Sequence, residues 1–366
     1  MKRIIIPATA ILLLTASCAT QRTAPIKVNV VKTSSLTNAT TGAVVYHLPK
    51  TVLRVEVEVE KAIMKAGPFY RYSERLLNIS DVVMEDGEEW RIKSLKVIPI
   101  GRTNYSQSYA IQMTGPGSVQ NVLLNNEGVL CGINQPDNSC TDVPSAKYEH
   151  AQELQSADVN FNGVPKLEKL LKQTSTAAMA EEAANYIYKI RKRRSKIFSA
   201  NYAVLPPDGL SLELTKAEMD SLESEFIELF TGKKAVMTIK RVFEYVPDRV
   251  NPESSVLFRF STKSGIVDRM DLSGAPIYIE VKNLVTPELP NQETKKEDNT
   301  NGLYYCNPGK AAVRLVDRNI LMFEEELDIA QFGQILSMPA ALLGRKQVQI
   351  ELSPVTGAVK KITVND

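Results

Sequence analysis

The stretch TVLRVEVEVE at residues 51–60 decides the fold of this chain. Val55, Val57 and Val59 alternate with glutamates at positions 56, 58 and 60. Successive side chains of a β-strand point to opposite faces, so this period of two predicts a strand with one buried face and one wet face. One-sided burial of this kind is typical of antiparallel sheets.

Further strand-like stretches lie on both sides of the middle of the chain. WRIKSLKVIPI (90–100) is one, and the turn at 125–128 in NVLLNNEGVLCGI predicts a hairpin. A short helix is predicted in GPFYRYSERLLNI, after Gly67-Pro68. The last third is predicted to return to strands in VMTIKRVFEYV, VLFRFS, PIYIEVKNLV, GLYYCNPGKAAVRLV, NILMFEEELDI and QVQIELSPVTGAVKKITV.

Two amphipathic helices are predicted in between. The first, at about 176–200, carries an apolar stripe at helical spacing, formed by Ala180, Ala183, Ile187, Ile190 and Ile197. The second is predicted to open at Thr215 and Glu218, which are spaced as a capping box, and to stop at Gly232. The breaker LPPDG (205–209) separates them.

These patterns predict an α+β fold in which an antiparallel helical hairpin separates two mainly antiparallel β regions. The predicted organisation is a signal peptide at 1–17, a lipid-anchored tether at 18–27, an N-terminal β-rich domain at 28–140, a linker with the αα-hairpin at 141–234, and a C-terminal β-rich domain at 235–366.

The N-terminus has the layout of a removable export signal. Lys2 and Arg3 precede an apolar run to Leu14, which is shorter than the roughly twenty residues of a membrane-spanning helix. The small residues of LLLTASC then lead to Cys18, as in a bacterial lipobox, although Thr15 stands where leucine is usual. We expect lipid on Cys18 to anchor the chain to a membrane. An ordinary secretory signal with an incidental cysteine is the alternative.

The charge balance argues against nucleic acid as a partner. The formal net charge is +2, and removal of residues 1–17 takes away Lys2 and Arg3 but no acid. No long-range attraction to phosphate is expected. The basic run KIRKRRSKI (189–197) lies in the first predicted helix, and the second helix is acidic. The run is therefore interpreted as a charge-complementary helix face rather than a nucleic-acid or anionic-lipid site.

Three cysteines follow Cys18. Cys131 and Cys140 flank the polar loop GINQPDNS in a chain expected in an oxidising compartment, so they are predicted to form a disulfide. In the loop-entropy picture such a ring stabilises by roughly 2–3 kcal/mol. Cys306 is then left over and is expected to be a buried, inert thiol.

One stretch resembles part of a calcium loop. Asp158, Asn160 and Asn162 alternate in DVNFNG, followed by Gly163, as in an EF-hand. The twelfth position, which should hold a bidentate carboxylate, is Lys169, and Pro165 lies inside the loop. An Asx-rich turn before a helix is the favoured interpretation, with calcium as a weak alternative. No cofactor is expected.

Catalytic motifs are thin. The two histidines, His47 and His150, lie in unrelated contexts, and no G-x-S-x-G, H-E-x-x-H, P-loop or C-x-x-C pattern occurs. The sequence therefore favours a non-catalytic binding or assembly module and nominates no catalytic residue. A hydrolase of envelope or dietary glycan stays open as an alternative, because its paired carboxylates can lie far apart in sequence.

Two stretches share a faint pattern. VVYHLPKTVLRVEVEV (44–59) and LYYCNPGKAAVRLV (303–316) both carry an aromatic residue, two spacers, proline and then a strand. Duplication of a β unit is one explanation. A chance echo of turn-then-strand sequence is the other.

The stretches YHLPKTVLRVEVEVEK, GPFYRYSERLLNI, LPPDGLSLELTKAEMDSLESEFIELFTGK and VLFRFSTKSGIVD resemble a domain-of-unknown-function family of uncharacterised Bacteroidetes-type lipoproteins. The resemblance covers most of residues 44–365 and implies a cell-envelope lipoprotein, with no activity or functional residues to transfer. ATQRTAP after Cys18 lacks the acidic cluster that resembles a surface-export tag, so the periplasmic face of the outer membrane is slightly favoured over the cell surface. The expected partners are the membrane, through the lipid on Cys18, and an unknown envelope protein or glycan.

Overall fold

Antiparallel strands make up most of the structure. The computed structural model describes residues 27–35, 42–114, 121–135, 140, 159–165, 167–199, 208–248, 254–288, 302–343 and 348–364. Helices are fewer, so the predicted α+β class is correct in this broad sense.

The described chain contains thirteen strands and five α-helices. The strands are β1 (Lys27–Lys32), β2 (Val44–Lys65), β3 (Gly87–Thr114), β4 (Val122–Leu124), β5 (Leu130–Ile133), β6 (Lys233–Tyr245), β7 (Ser255–Ser261), β8 (Gly265–Val267), β9 (Ala275–Val285), β10 (Leu303–Asp317), β11 (Ile320–Met338), β12 (Val348–Leu352) and β13 (Val359–Val364). The α-helices are α1 (Ser73–Leu77), α2 (Glu168–Leu171), α3 (Thr176–Phe198), α4 (Gly209–Thr231) and α5 (Ala340–Leu343).

The strands form three sheets. Sheet A has the order β1-β3-β2-β6, sheet B the order β13-β12-β5-β4, and sheet C the order β11-β10-β9-β7-β8. Sheets A and B each combine strands from both predicted β regions, because β6 pairs with β2 and β12 pairs with β5. The two regions are therefore joined by backbone hydrogen bonds in sheets A and B, while sheet C consists of C-terminal strands alone.

The alternation in 51–60 produces the expected buried face. Val55, Val57 and Val59 are at most 1% exposed and pack against sheet C, where Ile277 and Ile279 of β9 are fully buried. Each buried aliphatic side chain of this size contributes roughly 1.5–3 kcal/mol, so this face holds sheets A and C together.

The opposite face of β2 is less wet than the alternation predicts. Glu56 pairs with Lys240 at 2.7 Å, and the Glu58 carboxylate accepts a hydrogen bond from Ser94. Glu60 is only 7% exposed, because the side chains of Arg91 and Lys93 cover it. A carboxylate tolerates such burial when cations satisfy its oxygens.

The first long helix follows its predicted apolar stripe. Ala180, Ala183, Ile187 and Ile190 of α3 are buried, and the helix packs with Phe226 and Phe230 of α4. Its N-cap is Ser175, whose hydroxyl accepts from the backbone N–H of Ala178.

The second long helix begins earlier than the capping box predicts. Asp208 is the N-cap of α4, and its carboxylate accepts from the Ser211 N–H at 2.6 Å. Thr215 lies inside the helix and donates to the Ser211 carbonyl. The predicted start was wrong because Asp208, directly after the two prolines, caps the free N–H groups about two turns earlier. The predicted end at Gly232 is correct, with a positive φ of 79°.

Among the helices of the described ranges, none has the length and apolar character needed to span a bilayer.

Candidate functional site

The candidate site is a cleft where two long hairpins part from regular pairing. One hairpin is β2–β3 and the other is β10–β11. The cleft has a volume of about 540 Å³ and takes lining residues from both. It is of the size that binds small ligands or the end of a polymer.

The first hairpin opens opposite Pro49. Pairing runs from His47 with Ser108 directly to Pro49 with Thr103, so residues 104–107 have no partners on β2 and form a bulge. Proline has no N–H to donate to a ladder, which explains why pairing is interrupted here.

The second hairpin repeats this arrangement. Pairing runs from Asn307 with Gln334 to Gly309 with Ile329, so residues 330–333 bulge opposite Pro308. The bulge sits tightly, since a Cβ on Gly333 would lie 2.0 Å from the Asn307 carbonyl oxygen. The faint repeat between 44–59 and 303–316 therefore corresponds to two hairpins with the same interruption, and the cleft lies between their bulges.

Thr51 and Gln331 hold the two hairpins together at the cleft. The Thr51 N–H donates to Gln331 Oε1 at 2.9 Å, and Gln331 Nε2 donates to the Thr51 carbonyl at 2.7 Å. Thr51 Oγ1 also accepts from the Ala330 N–H at 3.0 Å. Thr51 is fully buried, so these bonds form in a low-dielectric setting that fixes the second bulge against β2.

The cleft is lined by carboxamide side chains. Asn104 and Gln107 come from the first bulge, and Gln331 and Gln334 from the second. Gln107 accepts from the Tyr109 hydroxyl through Oε1, which leaves its Nε2 as a donor. The Gln334 amide bonds to no described residue. The described residues that line the cleft include no aspartate or glutamate.

Two other reactive groups lie in or beside the cleft. Cys306 lines it, is buried, and has a pKa raised to about 11 by that burial, so its thiol is protonated at neutral pH. His47 Nδ1 lies 2.7 Å from Ser108 Oγ, and that hydroxyl donates to the Tyr105 carbonyl at 2.8 Å. Because the serine proton is already donated, Nδ1 of His47 must be the donor in this pair. Ser108 is thus arranged as a structural hydroxyl and not as a nucleophile activated by a base.

Tyr105 stands at the tip of the first bulge. Its ring is 79% exposed and meets the His47 ring edge-on at 5.5 Å between centroids. An aromatic ring held in this way offers a flat apolar surface beside the amides of the cleft.

A second groove of about 530 Å³ lies between α3 and α4. Its floor is apolar, with Ile190, Met219 and Leu222, and Arg193 and Glu218 lie at its margin. The basic run is paired with α4, as the charge pattern predicts, but through arginines at other positions. Arg191 and Arg194 bind Glu223, and Arg194 also binds Asp220.

The remaining predicted site residues are distributed as follows. Cys18 and Asp158 lie outside the described residues. Cys131 and Cys140, the predicted pair, are joined by a disulfide with their Cα atoms 5.7 Å apart.

Asn160 and Asn162 of the weak calcium candidate lie in a turn before α2, and the Asn160 carbonyl accepts from Lys233 Nζ at 2.8 Å. Within the described ranges, no group of three or more His, Cys, Asp or Glu side chains is placed to hold a metal.

The sequence alone does not indicate the residues that line the cleft. Asparagine and glutamine carry no motif, and the two bulges come from strands more than two hundred residues apart. The only available signal was the shared Tyr-x-x-Pro pattern of β2 and β10, which marks where each hairpin opens.

Fold and cleft together define a β-rich α+β protein with an amide-lined cleft between two similar hairpins. The chain belongs to the family described as domain of unknown function DUF4831, whose sequence profile matches residues 42–360. No curated protein matches the chain, and no solved structure matches it either.

Proposed function

We propose that this protein is a non-catalytic binding module, held at the cell envelope by lipid on Cys18, and that its cleft binds a neutral glycan. The observation that carries the proposal is the cleft between the two bulges, with its carboxamide lining and the exposed Tyr105 in the same bulge as the lining residues Asn104 and Gln107.

The chemistry of the lining favours sugar hydroxyls. A carboxamide both donates and accepts, and a hydroxyl does the same, so neighbouring hydroxyls of a sugar fit the amides of Gln107 and Gln334 without any net charge. The Tyr105 ring offers an apolar surface for the C–H face of a pyranose. A peptide offers amides to the same groups, and an envelope protein is therefore the competing outcome in the test below.

Two carboxylates bind Arg102, which lies two residues before Asn104 of the cleft lining. Glu127 and Glu244 both pair with Arg102, at 3.1 and 3.0 Å, and Glu244 also pairs with Arg54. Glycoside hydrolysis requires two acids facing one substrate, roughly 5–10 Å apart. Among the described residues, the linings of the cleft and of the helical groove include no such pair, so neither lining supports the hydrolase.

The anchor and its location rest on the sequence. The run before Cys18 has export-signal layout, and the following residues favour the periplasmic leaflet of the outer membrane. Lipid labelling of wild type beside Cys18→Ala tests this part: labelling of the wild type alone supports it, and labelling of neither overturns it.

We also infer that α3 and α4 form an antiparallel hairpin. Moving from Arg191 to Arg194 on α3 corresponds to moving from Glu223 back to Asp220 on α4, which is the order expected of antiparallel helices. The hairpin would lie between strands β5 and β6 in the chain.

The test of the cleft is binding of the purified full-length protein to an array of neutral glycans, followed by titration. Gln107→Ala with Gln334→Ala should weaken binding roughly thirtyfold, because each of the two lost hydrogen bonds contributes about 1 kcal/mol. Gln173→Ala, between α2 and α3, is the matched control and should leave binding unchanged.

Three results would overturn the glycan proposal. They are absence of binding to any glycan, binding that the double variant does not weaken, and, in a pull-down from envelope extract, retention of an envelope protein that the double variant no longer retains. Release of reducing ends during the titration would show hydrolysis and contradict the non-catalytic part.

A further inference from the structure

Two long strands lie at sheet edges and pair on one side only among the described residues. β6 is the last strand of sheet A and pairs with β2. β11 is the first strand of sheet C and pairs with β10. An edge strand presents unpaired N–H and C=O groups that another strand can bind.

The two edges carry opposite charge. β6 contains Lys233, Lys234, Lys240 and Arg241 against the single acid Glu244, whereas β11 contains Glu324, Glu325, Glu326 and Asp328 and no basic residue. Arg241 and Glu325 form no ion pair with any described residue. Each edge therefore holds at least one charge that has no ion-pair partner among the described residues.

Edge charges ordinarily oppose association of one sheet with another. Here they oppose β6 meeting β6 and β11 meeting β11, since like charges would face each other. The same charges attract each other when β6 of one copy meets β11 of another. The charges on the two strands thus favour only the pairing of β6 with β11.

The side-chain faces of the two strands match in one antiparallel register. Arg241 pairs with Val57 and Glu325 pairs with Val313, and both valines are buried, so Arg241 and Glu325 both lie on the core-facing side of their sheets. When Arg241 is set opposite Glu325, Lys240 comes opposite Glu326 on the outer face. A shift of two residues sets Arg241 opposite Phe323 or Leu327 instead.

The same register also aligns apolar side chains. Phe243 comes opposite Phe323, and Ile239 opposite Leu327, all on the core-facing side and all partly buried at the margin of the core between sheets A and C. Residues 237–243 thus meet residues 323–329, and this paired segment of β11 ends where the cleft bulge begins. Opposite charges and aromatic pairs across strands each stabilise an antiparallel pair.

We propose that β6 of one copy pairs with β11 of a second copy, joining sheet A of the first to sheet C of the second. The contact uses two different surfaces, so it is head-to-tail. A pair of copies joined in this way still has one free β6 and one free β11. Repetition gives a ring or an open filament, depending on the rotation between copies. The inference does not depend on the glycan site.

Sedimentation velocity over a series of concentrations tests the pairing. The sample is the full chain with Cys18→Ser, which removes the lipid acceptor. The sedimentation coefficient should rise with concentration, and Arg241→Glu or Glu325→Arg should weaken association roughly tenfold, because attraction across the strands becomes repulsion. The double variant Arg241→Glu with Glu325→Arg restores opposite charges and should recover association. Lys192→Glu, exposed on α3, is the matched control and should behave as wild type.

Disulfide trapping tests the register. Thr238→Cys with Asp328→Cys places the two cysteines opposite each other in neighbouring copies and should give a ladder of oligomers on non-reducing gels. Thr238→Cys with Glu324→Cys is out of register and should not. A monomer at every concentration, a double variant no better than the single ones, or equal ladders from both cysteine pairs would overturn the proposal.

Discussion

His47 shows how a single side chain is held where two strands part. Its backbone N–H donates to the Gly128 carbonyl, and its ring nitrogen Nδ1 binds Ser108. Burial lowers the pKa of His47 below the ordinary histidine value, because the charged imidazolium is poorly solvated there. The neutral ring is therefore the form that fits the fold.

This lowered pKa predicts how stability depends on pH. Unfolded His47 binds its proton with a pKa of about 6.5, and the folded form binds it more weakly. The contribution to stability is fully present above that unfolded value and is lost as the pH falls through the lower folded pKa. The urea concentration at the unfolding midpoint, measured from pH 8 to pH 5, should decrease as the solution becomes more acidic.

Two variants separate His47 from the rest of the chain. His47→Asn should flatten the pH dependence in this window, since asparagine carries no titrating proton. His150→Asn, which changes the other histidine, should keep the wild-type dependence. An unchanged slope in His47→Asn would show that another group causes the loss.

Among the elements, β2 was the most predictable and the bulges were the least. The alternation of valine with glutamate reflects which face of the strand is buried, and a single strand shows this pattern in its own sequence. The bulge at 330–333 depends on Pro308 on the facing strand and on the bonds of Gln331 to Thr51, which lies 280 residues away. No short stretch records such a contact.

The start of α4 gives a prediction at this scale. Asp208 caps the helix, so Asp208→Ala should lower the free energy of unfolding by about 1 kcal/mol. Thr215→Ala, which removes the residue that the sequence favoured as the start, should cost clearly less, because its hydroxyl only bonds back to a helix carbonyl. Urea denaturation of both variants measures the two losses. A larger loss of unfolding free energy in Thr215→Ala than in Asp208→Ala would show that the helix begins at Thr215.

At the scale of the whole molecule, the sequence indicated what the parts are but not how they combine. The strands, the long helices and the Cys131–Cys140 pair follow from patterns within about twenty residues of one another. The sharing of sheets A and B between the two β regions does not, since it depends on which distant strands meet. The amide-lined cleft likewise depends on two distant hairpins, β2–β3 of sheet A and β10–β11 of sheet C, lying side by side, and no local pattern in the sequence records that meeting.

Shared sheets predict that neither half of the chain folds alone. A fragment ending at residue 234 leaves β2 without most of β6, β5 without β12, and the buried face of Val55, Val57 and Val59 without sheet C. Its apolar surface would be exposed to water, and the fragment should show no cooperative unfolding transition by circular dichroism. The fragment 235–366 should fail in the same way.

Mixing the two fragments gives the decisive measurement. Because β6 and β12 complete sheets that the first fragment begins, co-refolding of 1–234 with 235–366 should restore a cooperative transition that neither shows alone. A complex of this kind loses the covalent link, so its midpoint should depend on concentration, unlike that of the intact chain. Cooperative unfolding of either isolated fragment would contradict this reasoning, because it would show that one β region completes its core without strands from the other.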